Sequence, residues 1–444
     1  MQNVVNLGER ISSAKLTSQA AGSKVTVAGW VQDTRNLGGI AFILLRDRSG
    51  IVQVTAIKKK MGPEAFSQLT AIPRESVIAV HGEIKANKEV ASGLEILPES
   101  FIILSQAETP LPLGIVDKVG AELDTRLNNR FLDLRKEQVL SVFKLRDFLL
   151  KGMREYLSAS GFLEVHTPKI VAAGAEGGST LFPIKYFDKN AYLAQSPQLY
   201  KQTLMAAGFE RIYEIAPAYR AEQSDTVRHL AEFTSLDVEM SFIQSSKDVM
   251  KTVEELIDHS FSVILKEGGE QLKLLGAGVK KPVLPFPRIT FEECADMLTS
   301  AGQRVRGDLD TEAEKKLGEL MMAKHNSEFY FITDFPTELK RATFYAMRNP
   351  DNPELTGYFD LDYRGEEMVS GGQREHRLDV LIKQMEENNL NLSDFEFYLK
   401  CFKYGMPPHG GFGLGIERVL HMMLALPNIR ECVLFPRDRY RVVP

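Results

Sequence analysis

In the stretch APAYRAEQSDTVRHLAEFTSLDVEM, residues 216–240, Arg220 is followed two residues later by Glu222. On an extended strand that spacing puts both side chains on one face. A polar loop then brings Arg228, His229 and Leu230, and Phe233 leads into a second extended run. A hairpin so furnished can hold a triphosphate: a guanidinium grips an oxyanion, an aromatic ring stacks on a purine, and a carboxylate accepts from an exocyclic amine. A surface hairpin laced with ion pairs has the same composition. A second stretch, GGFGLGIERVL from Gly410 to Leu420, reads as a glycine-rich strand entering an apolar helix. Glycine lets backbone approach a ligand, and Arg418, one turn into the helix, can reach a phosphate near its N-terminus. The spacing fits neither the Walker loop nor the dinucleotide fingerprint. The third stretch, GFLEVHTPKI (161–170), reads as a helix–strand core unit with Pro168 in its extended half.

The elements that must position these residues follow from periodicity. KVTVAGWV, IAFILLR and IVQVTAI alternate as strands separated by turn residues at 36–39 and 47–50. PEAFSQLTAI predicts a helix, and SVIAVHGEI and LEILPESFIIL two further strands. Three strands, a helix and two strands is the order of an OB-fold, an all-β barrel that often binds oligonucleotides; an SH3-like or purely structural barrel remains open on pattern alone. Pro110, Pro112 and Gly114 open a linker. Apolar residues recur at helical spacing from Lys136 to Ser160, where Gly161 is a natural stop, and again from Lys247 to Lys266. TLFPIKYF, AYLAQSP, RIYEIAPAYR, EFTSLDVEMSF, FYFITDF, ATFYAM, YFDLDYR and EEMVSG predict strands. Helices and strands mix without regular alternation, so the larger part is α+β on an antiparallel sheet. The expected division is 1–105 barrel, 106–135 hinge and 136–444 catalytic domain.

Composition bounds the rest. The chain has 444 residues, 44% hydrophobic and 25% charged, which is globular and enough for two or three domains. Its longest apolar runs, such as Ile40–Leu45, are too short to span a membrane. The start, MQNVVNLGERISS, lacks the features of a secretory signal. Cys294, Cys401 and Cys432 lie far apart, which argues against a zinc site or disulfide framework and fits a reducing, cytoplasmic setting. A net charge of -5 neither announces nor excludes a nucleic-acid partner, which needs only a local basic face.

Taken in order, 161–170, 216–240 and 410–420 resemble the three signature motifs of class II aminoacyl-tRNA synthetases. The resemblance implies an antiparallel sheet flanked by helices, a homodimer formed through the first motif, and ATP held by the other two. Arg220, Glu222, Arg228, His229, Leu230, Phe233, Glu367, Gly415, Glu417 and Arg418 would then meet ATP. The segment QSPQLYKQ (195–202) is similar to the aspartate-specific segment of the aspartyl branch, which implies that Gln198 and Lys201 meet L-aspartate. In GEEMVSGGQREHR, Arg374 matches that branch's clamp on the side-chain carboxylate; Asp237 matches the residue that receives the ammonium and steadies the lysine, and Glu176 a loop that closes on the ammonium. A Lys–Arg pair separates acid from amide because asparagine would leave both cations uncompensated and would offer a donor where donors already point.

Glu367 and Ser370 match positions that ligate magnesium (Mg2+), with Asp360 a further candidate. The implied reaction is in-line attack of the aspartate α-carboxylate on the α-phosphorus, with Arg220 and magnesium stabilising charge and Arg418 holding the γ-phosphate. The terminal 3′-hydroxyl of tRNA(Asp) then takes the aspartyl group. The barrel gains the anticodon: Phe42 and Gln53 match positions that stack on and hydrogen-bond the central uridine, with Arg35 a neighbour. Gln32 and Ala91 stand where enzymes restricted to tRNA(Asp) tend to carry Trp and Lys, which points to relaxed charging that includes tRNA(Asn). The absence of a large insertion between the second and third motifs resembles the archaeal and eukaryotic type. Rival readings are an asparaginyl enzyme, against which Lys201 and QSPQ argue, an ammonia-dependent asparagine synthetase, which has no use for a barrel, and a binding-only paralogue, which would have lost Arg220, Arg418 or Glu367.

Overall fold

The computed structural model describes residues 5–90, 92–116, 120–172, 181–221, 226–305 and 307–444. Ala91, Glu176 and Glu222, singled out above, lie outside the described residues. The chain divides into two units, Met1–Glu122 and Leu123–Pro444. The division falls inside the segment expected to be a hinge, whose second half is helical: α3 below begins at Leu123.

In the first unit β1 (Lys24–Asn36), β2 (Ile40–Asp47), β3 (Gly50–Ile57), α1 (Lys58–Met61), α2 (Pro63–Thr70), β4 (Val77–Ala86) and β5 (Leu94–Ser105) follow in chain order. The strands close into a barrel in the order β1-β2-β3-β5-β4. Alternation sends Ala41, Ile43 and Leu45 of β2 inward beside Val52 and Val54 of β3, and Phe66 and Leu69 of α2 join that core. Closure demands a glycine at Gly29, where a Cβ would stand 2.2 Å from the carbonyl oxygen of Arg46.

The second unit begins with α3 (Leu123–Asn128), α4 (Arg130–Asp133) and α5 (Glu137–Ala159), then β6 (Leu163–Glu164), β7 (Ile170–Val171), β8 (Pro183–Tyr186), β9 (Lys189–Leu193) and α6 (Gln198–Ala206). The hairpin β10 (Arg211–Tyr219) and β11 (Glu232–Ser241) follows, with α7 (Ser246–Glu267), α8 (Gly269–Leu275), β12 (Arg288–Thr290), α9 (Phe291–Ser300) and α10 (Thr311–His325) after it. The chain continues through β13 (Phe329–Thr333), β14 (Tyr358–Tyr363), β15 (Glu367–Gln373), α11 (Leu378–Glu387), α12 (Glu396–Lys403), β16 (His409–Gly415) and α13 (Ile416–Leu424). Among the described residues eight strands form one sheet, β12-β13-β14-β15-β16-β11-β10-β6. It is antiparallel through its centre, with parallel pairs only at its two edges, β12/β13 and β6/β10.

The apolar faces of α5, α7 and α13 cover one side of this sheet, burying Leu149, Met153, Val253, Ile257 and Leu420 against Leu236, Val238, Phe412 and Leu414. Because strand side chains alternate, the odd positions of β11 (Phe233, Ser235, Asp237 and Glu239) are turned to the opposite side. Register carries that face across the sheet: Asp237 pairs with Gly413, Gly413 with Ser370, and Ser370 with Asp360. One row along, Glu239, Gly411, Gly372 and Tyr358 are neighbours in the same way. The run ATFYAM (342–347), expected as a strand, is a turn segment. Its Phe344, Tyr345 and Ala346 are apolar because the turn itself is buried, not because it lies in the sheet.

Candidate active site

A cavity of about 370 Å³ opens over that polar face. Gln198, Lys201, Arg220, Arg228, His229, Leu230, Phe233, Asp237, Glu367, Ser370, Arg374, Gly415, Glu417 and Arg418 all line it. Residues from distant parts of the chain therefore share one space, as the motif resemblance requires.

At its closed end the cations are already paired. Lys201, on the first turn of α6, places Nζ 3.1 Å from Asp237 Oδ1, 3.3 Å from Glu239 Oε2 and 3.2 Å from the carbonyl oxygen of Phe412. Acceptors thus stand within reach of all three of its N–H donors. Arg374, just past β15, donates Nε to Glu239 Oε1 at 3.1 Å and Nη2 to Oε2 at 3.4 Å. Its Nη1 is buried without an acceptor among the described residues. The rings of Tyr345 and Tyr358 flank the guanidinium at 5.4 and 5.8 Å. Gly411 makes room for the bridging acid, since a Cβ there would fall 2.3 Å from Glu239 Oε2. Burial works against the charge of Glu239, and Arg374 and Lys201 more than offset it, so its carboxyl is held below the usual range.

Asp237 pairs with Lys201, and Glu239 balances Lys201 and Arg374 together, which corrects the expectation that asparagine would leave both cations uncompensated. The sequence signal for Glu239 was present in S-L-D-V-E, where residues 235, 237 and 239 share a face; the resemblance drew attention to Asp237 alone. Ser235 donates to Asp237 Oδ2 at 2.7 Å and was also missed, as were Tyr345 and Tyr358.

The open end is looser. Arg220 lies one residue past β10, its backbone N–H donating to the carbonyl oxygen of Ala231, and its guanidinium sits 5.3 Å over the ring of Phe233. Arg418, in the first turn of α13, donates Nη1 to the backbone oxygen of Glu367 at 2.9 Å and approaches its carboxylate at 3.5 Å. Arg228 pairs with Glu314 at 3.1 Å and Glu366 at 3.3 Å, and His229 Nδ1 meets Thr226 Oγ1. Glu417 borders the cavity but is committed to structure: it accepts from the Thr234 N–H at 2.9 Å and pairs with Arg146 at 3.0 Å. Asp360 does not line the cavity, and its oxygens are taken by Ser370 Oγ at 2.5 Å and Lys340 Nζ at 2.7 Å. It holds Ser370 in place from outside the cavity lining. Burial, with the repulsion of Asp360, pushes the Glu367 carboxyl up even though its side chain remains 38% open to the cavity. Burial and Glu367 likewise push Glu314 up to about 7.

In the barrel, Phe42 stands on the outer face between Arg35 and Thr55, outside the core. Gln53 Nε2 donates to Glu95 Oε2 at 3.1 Å and to Thr55 Oγ1 at 3.2 Å. Gln32 accepts from Arg46 at 3.2 Å.

A family described as tRNA synthetases class II (D, K and N) matches residues 122–439, and one described as OB-fold nucleic acid binding domain matches residues 25–104. The chain belongs to the class II tRNA synthetases. It is 50% identical over 434 residues to the aspartate–tRNA(Asp) ligase of Thermococcus kodakarensis, covering 97% of this chain and 99% of that one. The aspartate–tRNA(Asp/Asn) ligase of Methanopyrus kandleri is also 50% identical, over the same shares of the two chains. Among solved structures, the asparaginyl-tRNA synthetase of Pyrococcus horikoshii with asparaginyl-adenylate superposes with a TM-score of 0.92 at 32% identity, covering 98% of this chain and all of that one.

Proposed function

We infer that the chain is an aspartate–tRNA ligase, which activates L-aspartate with ATP and transfers the aspartyl group to the 3′ end of tRNA(Asp). The observation that carries this reading is the closed end of the cavity, where Arg374 keeps a buried, unused donor beside Lys201 while Arg220 and Arg418 line the same space. A side-chain carboxylate meets the unused edge of Arg374, formed by Nη1 and the second N–H of Nη2. The ammonium group faces Asp237. With aspartate seated, three cations (Lys201, Arg374 and the ammonium) face three anions (Asp237, Glu239 and the side chain). Asparagine leaves one positive charge in excess and turns an amide N–H towards a donor.

The α-carboxylate then lies towards the open end, already ionised, and attacks the α-phosphorus in line as the bond to pyrophosphate breaks. No base is needed, so His229 has no proton to take. Arg220 stabilises negative charge on the α-phosphate, Arg418 holds the far phosphate, and Phe233 offers a purine the ring face that Arg220 leaves uncovered. Magnesium fits this end, because Glu367 and Ser370 bring hard oxygens to the cavity beside Arg220 and Arg418. Glu367 and the lone pairs of Ser370 would hold it, with water and phosphate oxygens completing its shell. When bound, it withdraws charge from the phosphates.

The barrel presents Phe42 to a base and aims the Gln53 amide from beside Glu95, which supports anticodon binding. Gln32 supports charging of tRNA(Asn) as well, a cytoplasmic homodimer is proposed from the family resemblance, and no helix among the described residues is long and apolar enough to cross a membrane. The test is ATP–pyrophosphate exchange with aspartate and asparagine side by side, then charging of both tRNA transcripts. Exchange driven by asparagine overturns the reading, and charging of tRNA(Asp) alone ends the relaxed one.

A further inference from the structure

Gln198 meets the cavity with an amide whose two ends are nearly the same shape, and nothing at that position decides which end looks inward. The choice is made at the far end of a buried chain of hydrogen bonds. His409 is fully buried, and its Nδ1 lies 2.9 Å from the carbonyl oxygen of Pro407, which can only accept. Nδ1 therefore carries the proton, and the neutral ring has Nε2 as an acceptor. Burial favours that neutral form, pushing His409 down to about 4. The neighbour of Nε2, at 2.8 Å, is the side-chain amide of Gln202, which must turn its N–H towards the ring. Gln202 Oε1 consequently points the other way, accepting from Tyr398 Oη at 3.1 Å and Gln198 Nε2 at 2.9 Å. Gln198 has then given its nitrogen to the relay, and no donor among the described residues reaches its Oε1.

We propose that Gln202 and His409 are positioning residues that lock the Gln198 amide with its carbonyl oxygen towards the ammonium group of the amino acid. The proposal rests on reading the cavity as an aspartate site. Aspartate carries two carboxylates, which only accept, and one donor, its ammonium. An inward carbonyl oxygen therefore attracts one end of the molecule and repels the other two. Reversed, the amide would draw a carboxylate to the ammonium's place and turn the reacting α-carboxylate away from the nucleotide. Gln198 and Gln202 are four residues apart on α6, so one helix face carries both the contact and its lock.

The test compares aspartate with succinate, which lacks only the amine, in Gln202→Leu and His409→Leu. Gln202→Leu removes the acceptor that holds Gln198, and His409→Leu frees Gln202 to turn over, so either can speak if the other fails to fold. In both, the KM for aspartate should rise about tenfold or more, while the KM for ATP and the inhibition constant of succinate stay within about twofold. Equal weakening of aspartate and succinate, or an unchanged aspartate KM in a folded variant, overturns the relay. Gln198→Ala separates the two claims. If it weakens aspartate while the relay variants do not, the relay fails and the site stands. If it leaves aspartate untouched, Gln198 does not meet the substrate.

Discussion

The two ends of the cavity hold their charges differently. At the closed end Lys201, Asp237, Glu239 and Arg374 keep at most 7% of their side chains exposed, and each is paired within the protein. At the open end Arg418 and Glu367 keep 31% and 38%, and their contact is a long one. The closed end is thus already built, with little left to reorganise, which suits the proposed discrimination between an acid and its amide. The open end is left looser, with the Arg418–Glu367 contact long and part-exposed, which suits the proposed binding of a nucleotide that reorganises its surroundings.

Arg374→Leu tests this difference hardest. Aspartate activation should fall by about a thousandfold, equivalent to roughly 4 kcal/mol, while ATP affinity holds. The melting temperature should also drop, because Glu239 keeps only Lys201 as counter-charge. Adding Glu239→Gln should restore stability without restoring activity. Equal loss of ATP affinity would show the two ends to be one. Arg418→Ala should split the other way: kcat/KM for ATP falls by about a hundredfold, with the melting temperature nearly unchanged because the pair it breaks is long and only half-buried.

The barrel was legible because strand alternation and turn residues are local signals; Ala41, Ile43 and Leu45 declare the inner face of β2. The cavity's membership was legible only through motif resemblance, since Lys201 on α6, Arg374 past β15 and Arg418 on α13 meet through long-range packing that no local pattern encodes. What stayed hidden were the partners of partners. Glu239, Gln202 and His409 touch the site only through other side chains, and one at a time each looks like an ordinary core polar residue. Asp360 stands one step further out: it neighbours Ser370 in register and accepts from Ser370 and Lys340.

The closed end should also be the acid-sensitive one. An unfolded histidine takes its proton near 6.5, whereas buried His409 takes it near 4. Between those values the unfolded chain binds more protons, so stability falls as pH falls, by up to about 1.4 kcal/mol per unit. Glu239, whose carboxyl is held below 4.5 in the fold, adds to the loss at the acid end of that range. Urea midpoints across the range should show the slope in the parent and in Arg418→Ala, and a shallower one in His409→Gln. An equal slope in all three would place the acid-sensitive group elsewhere.

Ser235→Ala probes how finely the closed end is set. Asp237 is held at both oxygens, by Lys201 on one and by the Ser235 hydroxyl at 2.7 Å on the other. Losing the hydroxyl leaves the carboxylate anchored at one point and free to swing, without removing a charge or opening the core. The KM for aspartate should rise about threefold, roughly 0.7 kcal/mol, with ATP and stability unmoved. A shift in the ATP KM would mean that Asp237 reports to the nucleotide as well, and the division between the two ends would have to be redrawn at β11.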